Sequence, residues 1–262
     1  MTDFSTPTAT FLGSGTSTGV PLIGCDCAVC ASTDPRDRRL RSGLWVRGAG
    51  YSLLIDTATD FRQQALREKI PRVDAILMTH FHADHVFGLD DLRRFNTVQG
   101  ERIAVYASPE CVAVLETIFA YFKGTATPGA YLPQIDFVTV TQPFALGPFA
   151  VTPLPVIHGG DPTWGYKLEC QGRALAYIPD CAEIPDATAA LLHGIDTLIL
   201  DALRPRPHRS HLTTEQSIAA IQSLHAKRGL LTHIGHDLSH ADIERRCPPH
   251  IAPAYDGLCI TF

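Results

Sequence analysis

One stretch of the sequence, THFHADH at residues 79–85, limits the folds and the chemistry open to this chain more than any other. It follows an apolar run, residues 73–78, that predicts a buried strand. His80 and His82 lie two residues apart, so both rings lean to the same side of an extended segment. Asp84 and His85 come next, where the chain must turn, and can face a second point a few ångströms away. The stretch therefore predicts a metal site where a strand ends and a loop begins.

The residue types in this stretch favour two metal ions over one. Imidazole and carboxylate groups are ligands for zinc, manganese or iron. In hydrolytic sites, paired ions lie roughly 3.5–4 Å apart. The alternative is a polar loop with scattered histidines, but chance rarely places four ligand-type side chains together directly after a strand.

Length and charge narrow the classes of protein. The 262 residues contain no repeat, low-complexity tract or interdomain linker, so we expect one domain over residues 1–262. The net charge of −5 provides no general attraction to nucleic acid or to an anionic membrane. We therefore expect a small substrate and neither a membrane nor a nucleic-acid partner. An anionic substrate would be held by local positive charge, including metal ions.

The sequence also predicts a location. No apolar run approaches the roughly 20 residues of a membrane span, and residues 1–10 lack a basic region followed by an apolar segment. We expect a cytoplasmic protein, in which the eight cysteines serve metal binding or lie buried as thiols. The cysteines predicted to be buried are Cys111, Cys170, Cys181, Cys247 and Cys259.

A second cluster of metal-ligand residues lies near the N-terminus. Cys25, Cys27 and Cys30 are close enough in sequence to share one tetrahedral zinc. Structural zinc prefers four protein ligands, so the fold must supply another from elsewhere, and His236 is our candidate. The alternative is three unpaired thiols.

Local signals predict the elements around these clusters. Asp60 is a plausible N-cap for a helix at residues 61–69, and Ser108-Pro109-Glu110 starts a helix to about residue 122. A capping box at residues 213–216 opens a helix to about residue 227. Residues 34–41 are charged and predict a mobile segment, and residues 124–133 predict a loop that either hangs over a site or only connects. Strands are predicted at residues 9–12, 45–46, 51–55, 73–78, 103–106, 135–140, 149–156, 165–169, 174–178, 197–200, 229–232 and 257–262.

Several of the predicted strands end in a residue of a metal-ligand type. In layered α/β folds, sites form where strand ends converge and loops carry the reacting groups. A single histidine after a strand is usually a turn residue, but five such ends beside residues 79–85 predict a shared site. The five strand-end residues are Asp56, His80, His158, Asp180 and His233.

The order of these residues resembles the metallo-β-lactamase superfamily over nearly the whole chain. The resemblance implies a four-layer αββα sandwich with a two-metal site at one edge. It also implies the metal ligands, for zinc or manganese: one ion on His80, His82 and His158, the other on Asp84, His85 and His233, with Asp180 bridging. Asp56 would orient a ligand from behind.

The cysteine pattern points to one branch of the superfamily. Gly-Val-Pro followed by Cys-x-Cys-x-x-Cys resembles the PhnP-like phosphodiesterases, where the thiols and a histidine three residues after the last active-site ligand hold a structural zinc. His236 follows His233 at that spacing. The tRNA 3′-processing endonuclease tRNase Z is also similar, but this chain lacks its long basic arm. PqqB-type proteins share the cysteines but depart at the histidine-rich motif, which is intact here.

The resemblance implies a metal-dependent phosphodiesterase acting on a small, cyclic phosphodiester through two divalent ions and a bridging hydroxide. Asp84 and Asp180 would take part in catalysis. His211 resembles the catalytic histidine of both phosphodiesterase branches and would act as general acid or phosphate clamp, with His208 as its rival. The alternatives are an RNA-processing enzyme and a non-catalytic, PqqB-like carrier. The family also implies that homodimers are common.

Three arginines near His211 are weaker candidates for substrate binding. Their planar donor groups suit phosphate, but a solvated loop is nearly as good an interpretation. They are Arg204, Arg206 and Arg209.

Overall fold

The strands in residues 6–124 and 131–262, the part of the chain that this computed structural model describes, form two sheets. They are β1 (Thr8–Gly13), β2 (Gly43–Gly48), β3 (Tyr51–Ile55), β4 (Ala75–Leu77), β5 (Ile103–Ala107), β6 (Ile135–Thr139), β7 (Phe144–Leu146), β8 (Phe149–His158), β9 (Asp161–Cys170), β10 (Arg173–Ile178), β11 (Thr197–Asp201), β12 (Arg228–Thr232), β13 (Ile251–Pro253) and β14 (Cys259–Thr261). The first sheet has the order β14-β1-β2-β3-β4-β5-β6, and the second has the order β13-β12-β11-β10-β9-β8-β7.

Helices connect the strands and cover the outer faces of both sheets. The α-helices of the described residues are α1 (Phe61–Glu68), α2 (Ala83–Val86), α3 (Arg93–Gln99), α4 (Pro109–Ile118), α5 (Asp186–Leu192), α6 (Thr214–Ser223) and α7 (His240–Arg246). Short 3₁₀ turns lie at Pro35–Asp37, Phe87–Leu92 and Ala120–Lys123.

Three apolar clusters reveal the order of the layers. Leu53 and Leu175 belong to the cluster between the sheets. Phe61 of α1 and Leu115 of α4 pack on the outer face of the first sheet. Ile221 of α6 packs on the outer face of the second sheet. The predicted four-layer αββα sandwich is therefore confirmed.

The central strands are apolar on both faces because each sheet is covered on both sides. In β3, Leu53 and Ile55 point between the sheets, whereas Leu54 points toward the helices. Parallel strands that are buried in this way appear as continuous apolar runs in a sequence, and β3, β4 and β5 pair in parallel. This burial explains why the sequence predicts the strands that lead into the site.

The parallel strands of both sheets end at one edge of the sandwich. β10, β11 and β12 are mutually parallel in the second sheet, as β3 and β4 are in the first. Side chains that follow the carboxyl ends of such strands meet in a common crevice. This edge is where the predicted metal ligands lie.

The structure changes several predicted boundaries. The helix expected to reach residue 122 ends at Ile118 and continues as a 3₁₀ turn, and the helix expected to reach residue 227 ends at Ser223. His225 follows it with a left-handed backbone, which stops the helix. β7 and β13 have three residues each and were not predicted, because such short strands give little periodic signal.

Two predictions are wrong, one about residues 34–41 and one about two cysteines. Residues 34–41 are not mobile in character, because Arg39 is 1% exposed and paired with buried Asp37. Cys259 is exposed and Cys247 is half-buried, although both were expected to be buried thiols. Cys259 lies on β14, the edge strand of the first sheet.

Most of the predicted loop at residues 124–133 falls on residues 125–130, outside the described residues, as do the first five residues. Within the described ranges, no helix is long and apolar enough to cross a membrane. The cytoplasmic location, the single domain and the homodimer stay predictions.

Candidate metal centre

Ligand-type side chains from distant parts of the chain meet at the carboxyl edge of the sheets. His80 and His82 follow β4, and His158 ends β8 in the other sheet. Their ring centroids are 4.4–5.3 Å apart. One nitrogen from each ring lies within 4.8 Å of the others, so these three imidazoles can hold one ion.

A second group lies beside the first. One ligand atom each from Asp84, His85 and His233 also lies within 4.8 Å of the others. Asp180 follows β10 and reaches both His85 and His233, since its oxygens lie 2.9 Å and 3.3 Å from their Nε2 atoms. His158 Nε2 of the first group is 3.9 Å from Asp180. Asp180 thus lies between the two groups, where a bridging ligand would be.

Hydrogen-bond partners set which nitrogen of each ring faces the centre. Nδ1 of His85 lies 2.8 Å from the Asp56 carboxylate, and Nδ1 of His158 lies 2.7 Å from the carbonyl of Ser210. Nδ1 of His80 lies 3.0 Å from the hydroxyl of Thr79. In each ring Nε2 is left to point inward, as is usual for metal-binding histidines.

Asp56 supports the centre from behind. Its carboxylate accepts a hydrogen bond from the backbone N–H of Thr79 at 2.8 Å and also approaches His85. The side chain is fully buried, and its backbone is left-handed with φ 64°. A buried carboxylate in a strained turn persists where the surroundings hold it firmly, and here it orients His85.

The inward atoms fit a divalent metal. Nε2 of His80, His85 and His233 and one oxygen of Asp180 are buried without a hydrogen-bond partner in the described residues. His85 Nε2 and Asp180 Oδ2 are 2.9 Å apart, but they are not aligned as a hydrogen bond. Native proteins rarely leave such groups unpaired. Five imidazoles and two carboxylates together are a donor set that suits zinc, manganese or iron.

The charges in the centre also suit metal binding. Burial raises the pKa of Asp84, but His85 and His233 outweigh burial and hold that pKa below its ordinary value. The pKa of Asp180 is held well below its ordinary value, since His233 and His85 again outweigh burial. Burial lowers the pKa of His80 and keeps its ring neutral. Burial lowers the pKa of His85 and His233, but Asp180 outweighs burial and raises both pKa values. A bound metal would take the place of these protons, because metal ions bind ionised carboxylates and neutral imidazoles.

His211 lies beside the metal centre and is held by Asp201, a residue to which the sequence alone gave no role. Its Nδ1 is 2.8 Å from the buried carboxylate of Asp201, and its ring stacks on His233 with centroids 4.9 Å apart. Burial, followed by the nearby His233, lowers the pKa of His211 to about 4. Asp201 ends β11 as the other ligand-type residues end their strands, and that signal could have identified it.

The loop before His211 carries the weaker candidates. His208 is exposed, with its ring centroid 5.0 Å from that of His211. Arg204 donates to carbonyls of its own loop, and Arg206 pairs with Asp237 at 2.6 Å. Arg209 is exposed. These contacts tie Arg204 to its own loop and Arg206 to Asp237 after β12, so both are less free to meet a substrate than the sequence suggested.

A second residue absent from the sequence-based prediction is Asp161. It begins β9, across a two-residue turn from His158, and its carboxylate lies 3.0 Å from Nε2 of His82. His82 therefore differs from the other rings, because Nδ1 is the nitrogen left for a metal. Both side chains are partly exposed, at 36% for His82 and 46% for Asp161, which puts them at the mouth of the site. No local sequence pattern identified this pair.

The predicted cysteine cluster is assembled in space. The sulfur atoms of Cys25, Cys27 and Cys30 lie 3.4–3.5 Å from Nδ1 of His236. A hydrogen bond from the backbone of Cys30, followed by one from His236, lowers the pKa of Cys27 to about 6. Burial raises the pKa of the Cys30 thiol to about 11. A thiol that ionises readily, as Cys27 does, is ready to bind zinc, and three thiols with one imidazole match a closed structural site.

Comparison with known proteins gives the family. A profile of the Beta-lactamase superfamily domain matches residues 51–234. The crystal structure of a diphosphatase from the PhnP family superposes with a TM-score of 0.90 at 44% identity, over 98% of this chain and 97% of that one.

Two curated relatives extend the comparison. An octanoyltransferase of Porphyromonas gingivalis is 39% identical over 94% of this chain and 50% of its own length, so the chain spans about half of that relative. Coenzyme PQQ synthesis protein B of Methylobacterium nodulans is 30% identical over 74% of this chain and 72% of its own length. The chain therefore belongs to the metallo-β-lactamase superfamily and is similar to a diphosphatase of the PhnP family.

Proposed function

We propose that this protein is a metal-dependent phosphodiesterase that hydrolyses a small, cyclic phosphodiester with two divalent ions, zinc or manganese. The observation that carries the proposal is the meeting of seven ligand-type side chains from both sheets, several with buried inward atoms that lack partners among the described residues. The 44% identity to a PhnP-family diphosphatase supports phosphorus–oxygen bonds as the target. The net charge of −5 favours a small substrate over RNA.

The ligand residues would form two sets, one for each ion. His80, His82 and His158 would hold one ion, and Asp84, His85 and His233 the other, with Asp180 between them. Bound divalent ions neutralise phosphate charge and make hydroxide available near neutral pH. Asp84 and Asp180 stay ionised, so each can accept a hydrogen bond from the attacking water and orient it toward phosphorus.

His211 would supply the proton that the leaving oxygen needs. Burial raises the pKa of Asp201 well above its ordinary value, so this acid can keep a proton and donate it to Nδ1 of His211. The hydrogen of the neutral ring is then on Nε2, the nitrogen that faces away from Asp201. Such a placed donor is typically worth about 10²–10⁴ in rate. His208, in the same loop, is the rival donor.

A phosphoric anhydride is the second candidate substrate, because the similar PhnP-family structure is that of a diphosphatase. The same ligands and the same attacking water would serve both reactions. The two differ at the leaving group, since phosphate leaves more readily than an alkoxide without a proton donor. Loss of His211 should therefore harm cyclic diester hydrolysis more than anhydride hydrolysis.

The experiment is a substrate panel with added manganese or zinc. It contains bis(p-nitrophenyl) phosphate, 5-phosphoribosyl 1,2-cyclic phosphate, 2′,3′-cyclic nucleotides, a nucleoside diphosphate ester and a tRNA precursor. We expect Asp84→Ala to abolish turnover of every substrate and His211→Ala to reduce turnover of the cyclic diesters strongly. Asp136→Ala, which removes an exposed carboxylate on β6, should match the wild type.

The outcomes separate the candidates. Retained activity in both Asp84→Ala and His211→Ala would exclude the phosphodiesterase proposal. Cleavage of the tRNA precursor at its 3′ end would favour RNA processing. Full metal loading without turnover on any member of the panel would favour a non-catalytic, PqqB-like carrier.

A further inference from the structure

We propose that the cluster of Cys25, Cys27, Cys30 and His236 positions His233, so that zinc in this cluster raises the affinity for the active-site metal that His233 would hold. The proposal rests on the two-metal site proposed above. It gives the cluster a role beyond holding the fold together, because it couples two metal sites that share one short loop.

The first observation is the backbone of His233. This residue follows β12 with φ 55°, in the left-handed region that costs energy for residues other than glycine. Residues in such conformations persist where their surroundings over-determine them. The direction of the His233 ring toward Asp84 and Asp180 therefore depends on what holds the residues that follow it.

The second observation is how the next residues are held. The N–H of Ile234 donates to the carbonyl of Ser14 at 2.9 Å, and the N–H of Gly235 donates to the carbonyl of Leu203 at 2.8 Å. A Cβ at Gly235 would lie 2.9 Å from that same carbonyl, so only glycine permits this approach. His236 then meets the three thiols. Backbone hydrogen bonds therefore fix both residues between His233, at one metal site, and His236, at the other.

A buried arginine joins the same loop to the chain that follows the cysteines. Arg39 donates to the carbonyl oxygens of Gly235 and Leu238 and pairs with Asp37 at 3.0 Å. Asp37 accepts a hydrogen bond from Ser32, two residues after Cys30. The segment that bears the thiols and the loop that bears His233 and His236 are therefore one connected unit, which zinc would close.

The coupling should be selective. His80 and His82 follow β4 in the first sheet, and His158 ends β8, so none of them lies on the loop at residues 234–238. Zinc in the cysteine cluster should therefore affect the ion on Asp84, His85 and His233 and leave the other ion largely unaffected. A general loss of stability would instead weaken the binding of both ions together.

The test is a metal titration that does not depend on catalysis. Cobalt is titrated into Cys27→Ser and His236→Asn proteins, and the two active-site dissociation constants are measured by absorption and calorimetry. We expect one constant to rise roughly tenfold, within the range of about 5–150-fold typical of coupled sites, and the other to change less than about twofold. Cys259→Ser, which removes an exposed thiol outside the cluster, is the control.

Reciprocity provides a second measurement, which remains available if the cluster variants fail to fold. Coupling free energy acts equally in both directions, so Asp84→Ala should weaken zinc retention in the cysteine cluster by the same factor. Unchanged cobalt affinity in a folded Cys27→Ser protein, or equal weakening of both ions, would overturn the inference. A wild-type protein that binds no pair of active-site ions would instead overturn the proposed function.

Discussion

Nδ1 of His211 lies 2.8 Å from the Asp201 carboxylate, and the other oxygen of that carboxylate lies 3.8 Å from Nδ1 of His233. The two imidazoles stack almost in parallel, with an angle of 10° between their planes. Only the shorter distance is that of a hydrogen bond. One buried acid therefore holds the proposed proton donor and lies beside a proposed metal ligand. A substitution of Asp201 therefore probes the surroundings of both His211 and His233.

Asp201→Asn should lower kcat for a cyclic phosphodiester about 10²-fold with little change in KM. The amide cannot deliver a proton to His211 as a carboxyl group can, and a placed proton donor is worth about 10²–10⁴ in rate. The measurement is steady-state kinetics on wild type and variant at matched metal content. His208→Ala, in the same loop, is the control and should cost less than about tenfold. If His208→Ala were the more damaging change, the roles of His208 and His211 would have to be exchanged.

Asp161→Asn should weaken the ion held by His80, His82 and His158. Asp161 is the partner of Nε2 in His82, and losing such a partner typically costs about 10–100-fold in metal affinity. Competition with a chromophoric chelator would measure the effect site by site. The ion on Asp84, His85 and His233 serves as the internal reference. If the dissociation constant of neither ion differed between wild type and Asp161→Asn, the role of Asp161 would be refuted.

Arg39→Ala should destabilise the protein by about 3–5 kcal/mol. The change leaves Asp37 buried without its cationic partner, and breaking one side of a buried ion pair costs that much. Chemical denaturation of the zinc-loaded protein measures the loss. Arg36→Ala removes a more exposed arginine from a pair with Asp34 and should cost less than about 1 kcal/mol. Similar losses in both variants would mean that Arg39 is not the anchor described above.

His240→Gln should make the stability less dependent on pH. Burial, followed by repulsion from Arg36, lowers the pKa of His240 in the folded protein. The charged groups that face it are Arg36, Arg39, Glu244 and Asp34. Below about pH 6.5 the unfolded chain binds a proton that the folded protein takes up only at lower pH.

The free energy of unfolding should therefore fall as the pH drops below about 6.5, and more steeply in wild type than in His240→Gln. Thermal or urea unfolding at pH 7.5 and 5.5 provides the comparison. His250→Gln alters an exposed histidine and should keep the wild-type slope. An identical pH dependence in wild type and His240→Gln would show that His240 has the same pKa in the folded and unfolded chains.

The metal-ligand residues could be predicted because they follow strands that can be recognised from their apolar sequence. The runs before Asp56, His80 and Asp180 are largely apolar, since both faces of these strands are covered. The resemblance to PhnP-like proteins pointed to His236 through its spacing from His233, and the structure brings His236 to the three thiols. These patterns lie within short stretches, so no knowledge of the tertiary fold was needed.

The supporting residues could not be predicted in the same way. Asp161 meets His82 across 79 residues, and Arg39 meets Gly235 across 196. Arg39 in particular looked like part of a charged, mobile segment, because its composition carries no sign of the carbonyl groups and the carboxylate that surround it. A buried charge is stable only through such partners, and these partners come from elsewhere in the chain.

The sequence by itself determined which side chains can bind metal and at which strand ends they lie, because local periodicity and residue chemistry suffice for that. Only the tertiary structure decided which nitrogen of each imidazole faces inward, which acid stands behind His211 and what holds the loop after His233. Those features depend on distances between groups far apart in the chain, and the packing of the two sheets sets these distances.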